Sequence, residues 1–576
     1  MLFLCCLLGL QIMFAGDVGL SAQSWQVWSP APTTAGQFSH ADDVFLLSAK
    51  TAQSLSWNNG FAAETGEYIL TAEIQCEKIS EQATIGMEAW GGGAWKGASF
   101  APPLKGSCDF TPVKAKIKLP EGTQSVKAVL IMSGTGTAQF RNVKVEKVVD
   151  NFLLPAAVQV DGNITMQVTQ NITKPVNRRL FGAHYFDIRD QKNAYADMGM
   201  TLCREGGPGF FSAGTINPDG KKYNWEALDS LLDWSKQTNV ELLGLLGGPT
   251  AWMIQNDLKT SADWQVFYER FSDFSVQVVK HVNIDKQAGV KYWEIWNEPD
   301  GGHWFGKPWH AGALEYAPLF VMTAKKLKAV NPGIQIGTGG IADPFRGSID
   351  NWWVPVAKYP EAAGLIDFVA IHGYYGDPAN QVFANGIDYM RETMHKVLGR
   401  EVPLWITEFN VHPLEDFTQR GYNFSTQALM VAEYLALFAQ KDIESSQYFC
   451  VGWWESDFAP WDAATKAERP VFKAYQFWKD FAGERVAVNN PNEKVLPAVA
   501  CKNDGSTILY VPARNMGKYR FAFDGFSADD KISVTGFYGD STNAIKFNKT
   551  TSNGRLVVEV EWPQGSRALL KVKVSK

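Results

Sequence analysis

The chain has 576 residues, 45% of them hydrophobic and 20% charged, with a formal net charge of −6. That length exceeds what one hydrophobic core supports, so several domains are expected. The charges are mixed in sign with no long basic run, which argues against a nucleic-acid partner or an anionic membrane surface.

In chain order, Leu2 to Ala15 is an apolar stretch followed by small residues. It is too short to span a bilayer and reads as a signal peptide over residues 1–22, although no Lys or Arg precedes it; a secreted or periplasmic location is therefore expected. No later segment carries 18 uninterrupted apolar residues, so no membrane insertion is expected of the mature chain. Residues 24–150 show short alternating runs separated by Gly, Ser, Asn and Pro, as in Tyr68-Ile69-Leu70-Thr71-Ala72-Glu73-Ile74, the pattern of a β-sandwich. Cys76 and Cys108 fall in this module, compatible with a disulfide or with two thiols. Cys203 and Cys450 sit in apolar runs and read as buried thiols, and no cysteine has metal-site spacing. Residues 151–174 contain one clean alternation (Val158, Val160, Ile164, Met166, Val168), read as a connecting strand.

Over residues 175–487 apolar strands alternate with helical patterns. Eight strands are expected, at Leu180–Tyr185, Met200–Arg204, Val240–Leu246, Tyr292–Trp296, Ile334–Thr338, Phe368–His372, Leu404–Thr407 and Gln447–Val451. Helices are expected at 263–282 behind a Ser261 cap, at 316–330 before Pro332-Gly333, and at 425–438. Eight such units in roughly 300 residues fit a (β/α)8 TIM barrel. Residues 488–576 return to strands without helices, a C-terminal β-sandwich. The fold class is thus α/β, a barrel flanked by two β-sandwich modules.

The apolar run Tyr292-Trp293-Glu294-Ile295-Trp296 stops at Asn297-Glu298-Pro299-Asp300, and Pro403-Leu404-Trp405-Ile406-Thr407 stops at Glu408-Phe409. Barrel enzymes work at the C-terminal ends of their strands, where these two carboxylates fall on the fourth and seventh strands. Two such carboxylates are what glycosidic cleavage requires, one to protonate the leaving oxygen and one to attack the sugar carbon. Average composition would produce Trp-Asn-Glu-Pro by chance in about one chain of this length in a thousand. The 21 tryptophans, 15 of them between Trp225 and Trp478, lean towards sugar stacking, although core packing is the commoner use of any single one.

These motifs resemble clan A of the retaining glycoside hydrolases. The stretch from Glu315-Tyr316-Ala317-Pro318-Leu319-Phe320 to Gly337 is most similar to family 39, the β-xylosidase and iduronidase family, with families 30, 51, 79 and 86 sharing much of the pattern. The resemblance implies that Glu298 is the acid/base and Glu408 the nucleophile. It implies that Asn297 bonds the 2-hydroxyl of the sugar, that Arg204 supports the nucleophile, and that His372 and Tyr374 orient it. Trp453, or alternatively Trp454, matches the platform beneath the sugar. Blander readings stand beside these: Arg204 as an ion-pair partner of Glu205, and His372 as a hydrogen-bonded core residue.

Further cleft candidates are His184 and Tyr185 at the end of the first strand, Trp252 after Gly247-Gly248-Pro249-Thr250, and the run His303-Trp304-Phe305. Glu455 and Asp457 near the eighth strand are candidates for binding sugar hydroxyls. The substrate expected is a β-linked plant or algal poly- or oligosaccharide. Eight histidines scattered singly argue against a metal centre, and no P-loop, dinucleotide-binding glycine pattern or Gly-x-Ser-x-Gly elbow is present, so no cofactor is expected. The competing reading is a carbohydrate-binding barrel without activity. The aromatic N-terminal module, with Trp57, Trp90, Trp95 and Gly91-Gly92-Gly93, reads either as a carbohydrate-binding module or as a spacer.

Overall fold

The computed structural model describes residues 16–17, 25–30, 36–41, 43–63, 67–120, 122–148, 163–184, 194–205, 209–301, 305, 312–342, 344, 346–412, 418, 423–452, 456–462, 465–514, 517–563 and 567–576. The chain divides into two compact units, residues 1–153 and 154–576.

The first unit is built on strands much longer than the short runs expected: Val44–Ala62, Glu67–Gly91, Leu104–Lys118 and Ser125–Val148. Glu67–Gly91 pairs with Ser125–Val148 along most of its length, but on its other edge it changes partner, from Leu104–Lys118 to Ala94–Phe100. Register breaks between Cys76 and Ala83 mark the change, since each extra residue bends and twists the strand. Alternate residues such as Leu47, Leu70, Ile85, Leu130 and Phe140 close one core. Gly92 and Gly93, both at positive φ, make the two-residue turn that faces Trp90 with Trp95. Cys76 and Cys108 are register partners carrying free thiols, and burial pushes the Cys76 thiol up to about 12. The proposed leader lies outside the described residues, apart from Gly16–Asp17, which pair with Glu146 and Lys147.

In the second unit eight parallel strands form the barrel: β1 Gly182–His184, β2 Leu202–Glu205, β3 Glu241–Leu246, β4 Tyr292–Asn297, β5 Gln335–Gly340, β6 Val369–Gly373, β7 Leu404–Phe409 and β8 Ser445–Phe449. Sequential neighbours pair, β1 pairs with β8, and bridges Gly337–Phe368 and Ile341–Ile371 close the ring between β5 and β6. Leu202, Leu243, Tyr292, Phe368, Ala370 and Trp405 fill the interior, so the barrel is a packed core and its chemistry must sit above that layer.

The principal helices are α1 Glu226–Thr238, α2 Ser261–Lys280, α3 Ala313–Val330, α4 Val382–Leu398, α5 Phe424–Gln440 and α6 Pro470–Phe477. The cap of α2 is Thr260 rather than Ser261, because Thr260 and Asp263 satisfy each other's backbone N–H in a capping box. The eighth strand starts two residues earlier than the apolar run suggested. Its buried Ser445 and Ser446 hydroxyls bond the Arg179 and Leu180 carbonyls, so polar residues occupy a strand interior. Trp293, Trp352, Trp353, Trp405 and Trp478 are fully buried, which assigns much of the tryptophan excess to packing.

The terminal β-sandwich reaches back beyond residue 488. Ile164–Pro175, expected as a connector, lies inside its ten-stranded sheet, parallel to Gly517–Phe523 and antiparallel to Glu484–Asn489. Met166 and Val168 enter the same core as Val511, Phe521, Val558 and Val572.

Candidate active site

Strand alternation explains which side chains reach the barrel's upper end. Leu202 and Tyr292 point inward, so Arg204 and Glu294, two residues on, do the same. Perfect alternation would then turn Glu408 outward with Ile406. Instead the register between β6 and β7 shifts after Ile406, pairing His372 with Glu408, and both Thr407 and Glu408 enter the interior. The fourth strand has a matching fault. Ile295 and Trp296 both join the core packed against the helices, Trp296 adopts a left-handed φ of 75°, and Asn297 then faces Arg204. Glu298 is left-handed too, at φ 46°. Non-glycine residues in that region cost about 1–3 kcal/mol each and persist where the surroundings impose them.

Arg204 is the centre of the cluster and is wholly buried. Its Nε donates to Glu294 at 2.6 Å, one terminal nitrogen to Glu408 at 2.7 Å and the other to the Asn297 side-chain oxygen at 2.8 Å. Tyr374 donates its hydroxyl to the second Glu408 oxygen at 2.6 Å. Burial, then the charge of Glu408, hold the Tyr374 hydroxyl well above its ordinary range, so it remains a donor. His372 stands between the two carboxylates. Its Nδ1 lies 2.8 Å from Glu298 and 3.6 Å from Glu408, so it bridges the two carboxylates rather than orienting Glu408 alone. Burial opposes an imidazolium there, but the charge of Glu408, then the bond to Glu298 and its charge, prevail and raise the His372 pKa. Gly340 makes room for this ring, since a Cβ there would stand 2.3 Å from His372 Nε2.

Glu298, His372 and Glu408 each present an atom within 4.8 Å of the others. Two carboxylates and a histidine at that spacing also have the form of a cation site, but the Arg204 guanidinium already supplies a cation to Glu408. The Glu298 side chain is 16% exposed and that of Glu408 is 8% exposed.

Among the other sequence candidates, His184 is buried 3.9 Å from Glu408 and packs edge-on against Phe449. Trp252 is held by its own surroundings: its indole N–H donates to the Asn217 carbonyl and its ring covers Gly220. Asp457 binds the Thr418 backbone N–H and hydroxyl, a loop-holding role. Arg204 pairs with Glu294 and Glu408, correcting the alternative of a simple pair with Glu205. Tyr185, His303, Trp304, Trp453, Trp454 and Glu455 lie outside the described residues.

Sequence reasoning passed over Glu294 and Asp300. Glu294, fully buried, also accepts from Thr407 at 3.0 Å; the available signal was a carboxylate inside an apolar run, in step with Tyr292. Asp300, fully buried, accepts from the Ala342 N–H and the Ser348 hydroxyl, tying the Glu298 turn to the segment after β5.

The sequence profile of glycosyl hydrolases family 39 matches residues 217–510, which includes β4, β6 and β7. The chain belongs to that family. It is 31% identical over 112 residues to a beta-xylosidase of Geobacillus stearothermophilus, covering 19% of this chain and 21% of that protein. It is 31% identical over 101 residues to the intracellular exo-alpha-(1->5)-L-arabinofuranosidase 1 of Bacillus subtilis (strain 168), covering 17% and 19%. The chain thus spans about a fifth of the length of these curated relatives. Among solved structures, a monomeric beta-xylosidase from Caulobacter crescentus CB15 superposes with a TM-score of 0.54 at 14% identity, over 72% of this chain and 99% of that one, a likeness of fold.

Proposed function

We propose that this family 39 member is a retaining glycoside hydrolase with Glu298 as acid/base and Glu408 as nucleophile. The observation that carries the reading is the separation of the two carboxylates. A carboxylate oxygen of Glu298 lies within 4.8 Å of one of Glu408, an oxygen-to-oxygen approach that supports the closer of the two spacings known for such pairs. Retaining enzymes hold the pair at roughly 5–5.5 Å, whereas inverting enzymes need about 6.5–9.5 Å to admit a water between them.

In the first step a Glu408 oxygen bonds to the anomeric carbon as the glycosidic C–O bond breaks, and Glu298 gives its proton to the departing oxygen. In the second step water attacks the glycosyl-enzyme, its proton passes to Glu298, and the Glu408 ester bond breaks with net retention. Arg204 and Tyr374 hold the two Glu408 oxygens in place. Asn297, oriented by Arg204, is offered to the 2-hydroxyl. The 2.8 Å contact between His372 and Glu298 makes these two a single proton-holding unit.

The substrate class is a β-linked poly- or oligosaccharide of plant or algal origin, with a xyloside as the first candidate; the beta-xylosidase among the partial relatives supports trying it first. The leader-like sequence supports export. Trp28 and Trp95, exposed on the first unit, support carbohydrate binding there, whereas Trp57 packs on the core of that unit and donates to the Leu46 carbonyl. The reading is tested by proton NMR of aryl xyloside cleavage. The β-anomer is expected first, and the α-anomer as first product, or no turnover across a panel of aryl glycosides, overturns it.

A further inference from the structure

We propose that Arg567, on the terminal sandwich, is a positioning residue for the nucleophile, acting through Asp377 and the loop that carries Tyr374. The inference rests on the reading of Glu408 as nucleophile and extends it to a residue outside the barrel.

Tyr374 follows β6, and its hydroxyl bonds Glu408 at 2.6 Å. Three residues later the Asp377 carboxylate receives both arms of the Arg567 guanidinium at 2.5 and 2.7 Å. The segment between them has little freedom. Gly376, at φ 63°, donates to the Val411 carbonyl beyond β7. Asp377 also accepts from the Ala379 N–H, and the Asn380 amide donates to the Tyr375 carbonyl. A shift of Asp377 therefore moves Tyr374.

Arg567 is itself fixed from behind. Its Nε and one terminal nitrogen donate to Glu433 of α5, each at 2.6 Å, and Glu433 is shared with Arg514 at 2.5 Å. Burial works against the Asp377 charge, yet the hydrogen bonds and charge of Arg567 hold its carboxyl below the usual range. A planar, two-armed donor sets direction as well as distance, which an ammonium does not. Hydrogen bonds to a reacting carboxylate lose effect with displacements of about 1 Å. The sandwich thus braces the tyrosine that aims Glu408.

The test is aryl glycoside kinetics of the full chain with Arg567→Gln and with Asp377→Asn. Each is expected to lower kcat about tenfold with KM changing far less, the mark of an interaction tightened in the transition state. Adding Tyr374→Phe to Arg567→Gln should cost much less than Tyr374→Phe does in the parent, since both act on one contact. Arg514→Lys keeps a cation on the same Glu433 and makes no hydrogen bond to Asp377; it should lower Tm and lower kcat far less than Arg567→Gln does. Should Arg567→Gln fail to fold, the isosteric Asp377→Asn carries the same test. A folded Arg567→Gln or Asp377→Asn with parental kcat overturns the inference, as do independent, multiplying losses with Tyr374→Phe. A Glu408→Ala chain with full activity overturns instead the reading of the site on which the inference rests.

Discussion

Two buried ionic clusters in the second unit use the same residue types to different ends. Between barrel and sandwich, Arg514 and Arg567 meet Glu433 and Asp377, two cations to two carboxylates, tightly interlocked. At the barrel's upper end one arginine, Arg204, stands among Glu294, Glu298 and Glu408, with His372 between the last two. The first cluster is balanced in charge. Among the described residues the second sets three carboxylates against one arginine and His372, whose pKa is raised, an arrangement suited to holding a proton. Balance gives an anchor, and imbalance is what the proposed proton donor beside a nucleophile requires.

The sharpest way to break the comparison is to remove the acids of the unbalanced cluster. Glu408→Ala is expected to lose several orders of magnitude in kcat and Glu298→Ala about 10²–10⁴-fold. Azide should restore turnover to both, giving an inverted glycosyl azide with Glu408→Ala and a retained one with Glu298→Ala; identical azide products from both variants would contradict the assigned roles. A matched substitution sharpens the contrast. Arg204→Lys should cost about 100-fold in kcat, because three directed bonds cannot be replaced by an ammonium. The same change at Arg514 should instead cost about 1–3 kcal/mol of stability in denaturant unfolding. A rate loss at Arg514 equal to that at Arg204 would erase the distinction.

The mildest expected effect on rate concerns Asp300, whose carboxyl is pushed up to about 6 by burial, with the charge of Glu298 adding to it. The folded chain therefore holds this proton to higher pH than the unfolded chain, which releases it near 3.8. Stability should fall as pH rises through that window and stay lower above it. Asp300→Asn removes the penalty and should stabilise the protein at neutral pH by on the order of 2 kcal/mol, with little gain at pH 3.5. Urea titrations at the two pH values check the sign; a variant less stable than the parent at pH 7 refutes it.

Much of this was legible before any coordinates. Glu298 stood out because Asn-Glu-Pro closes an apolar strand, and Glu408 because it closes another at the correct strand count. Regular alternation, however, would have turned Glu408 away from the interior. What brings it in is a register shift in β7, and on β4 a left-handed Trp296 does the corresponding work. Neither has a local residue signature, since no glycine or proline stands next to Trp296 or Ile406 to mark it. Glu294 was hidden for a related reason: within an apolar run a carboxylate looks like an irregularity until Arg204 is found opposite it. The eighth strand slipped because Ser445, Ser446 and Gln447 are polar yet buried, their hydrogen bonds supplied by the barrel itself. Ile164–Pro175 read correctly as a strand, but its partners lie more than 300 residues further along.

The most direct test of the two-carboxylate site is mass spectrometry of the protein after brief incubation with an activated 2-deoxy-2-fluoro xyloside, which slows release of the glycosyl-enzyme. A single added sugar on the peptide containing Glu408, absent from Glu408→Ala, is the expected result. A label on any other residue, or none while the same glycoside is hydrolysed with inversion, would contradict it.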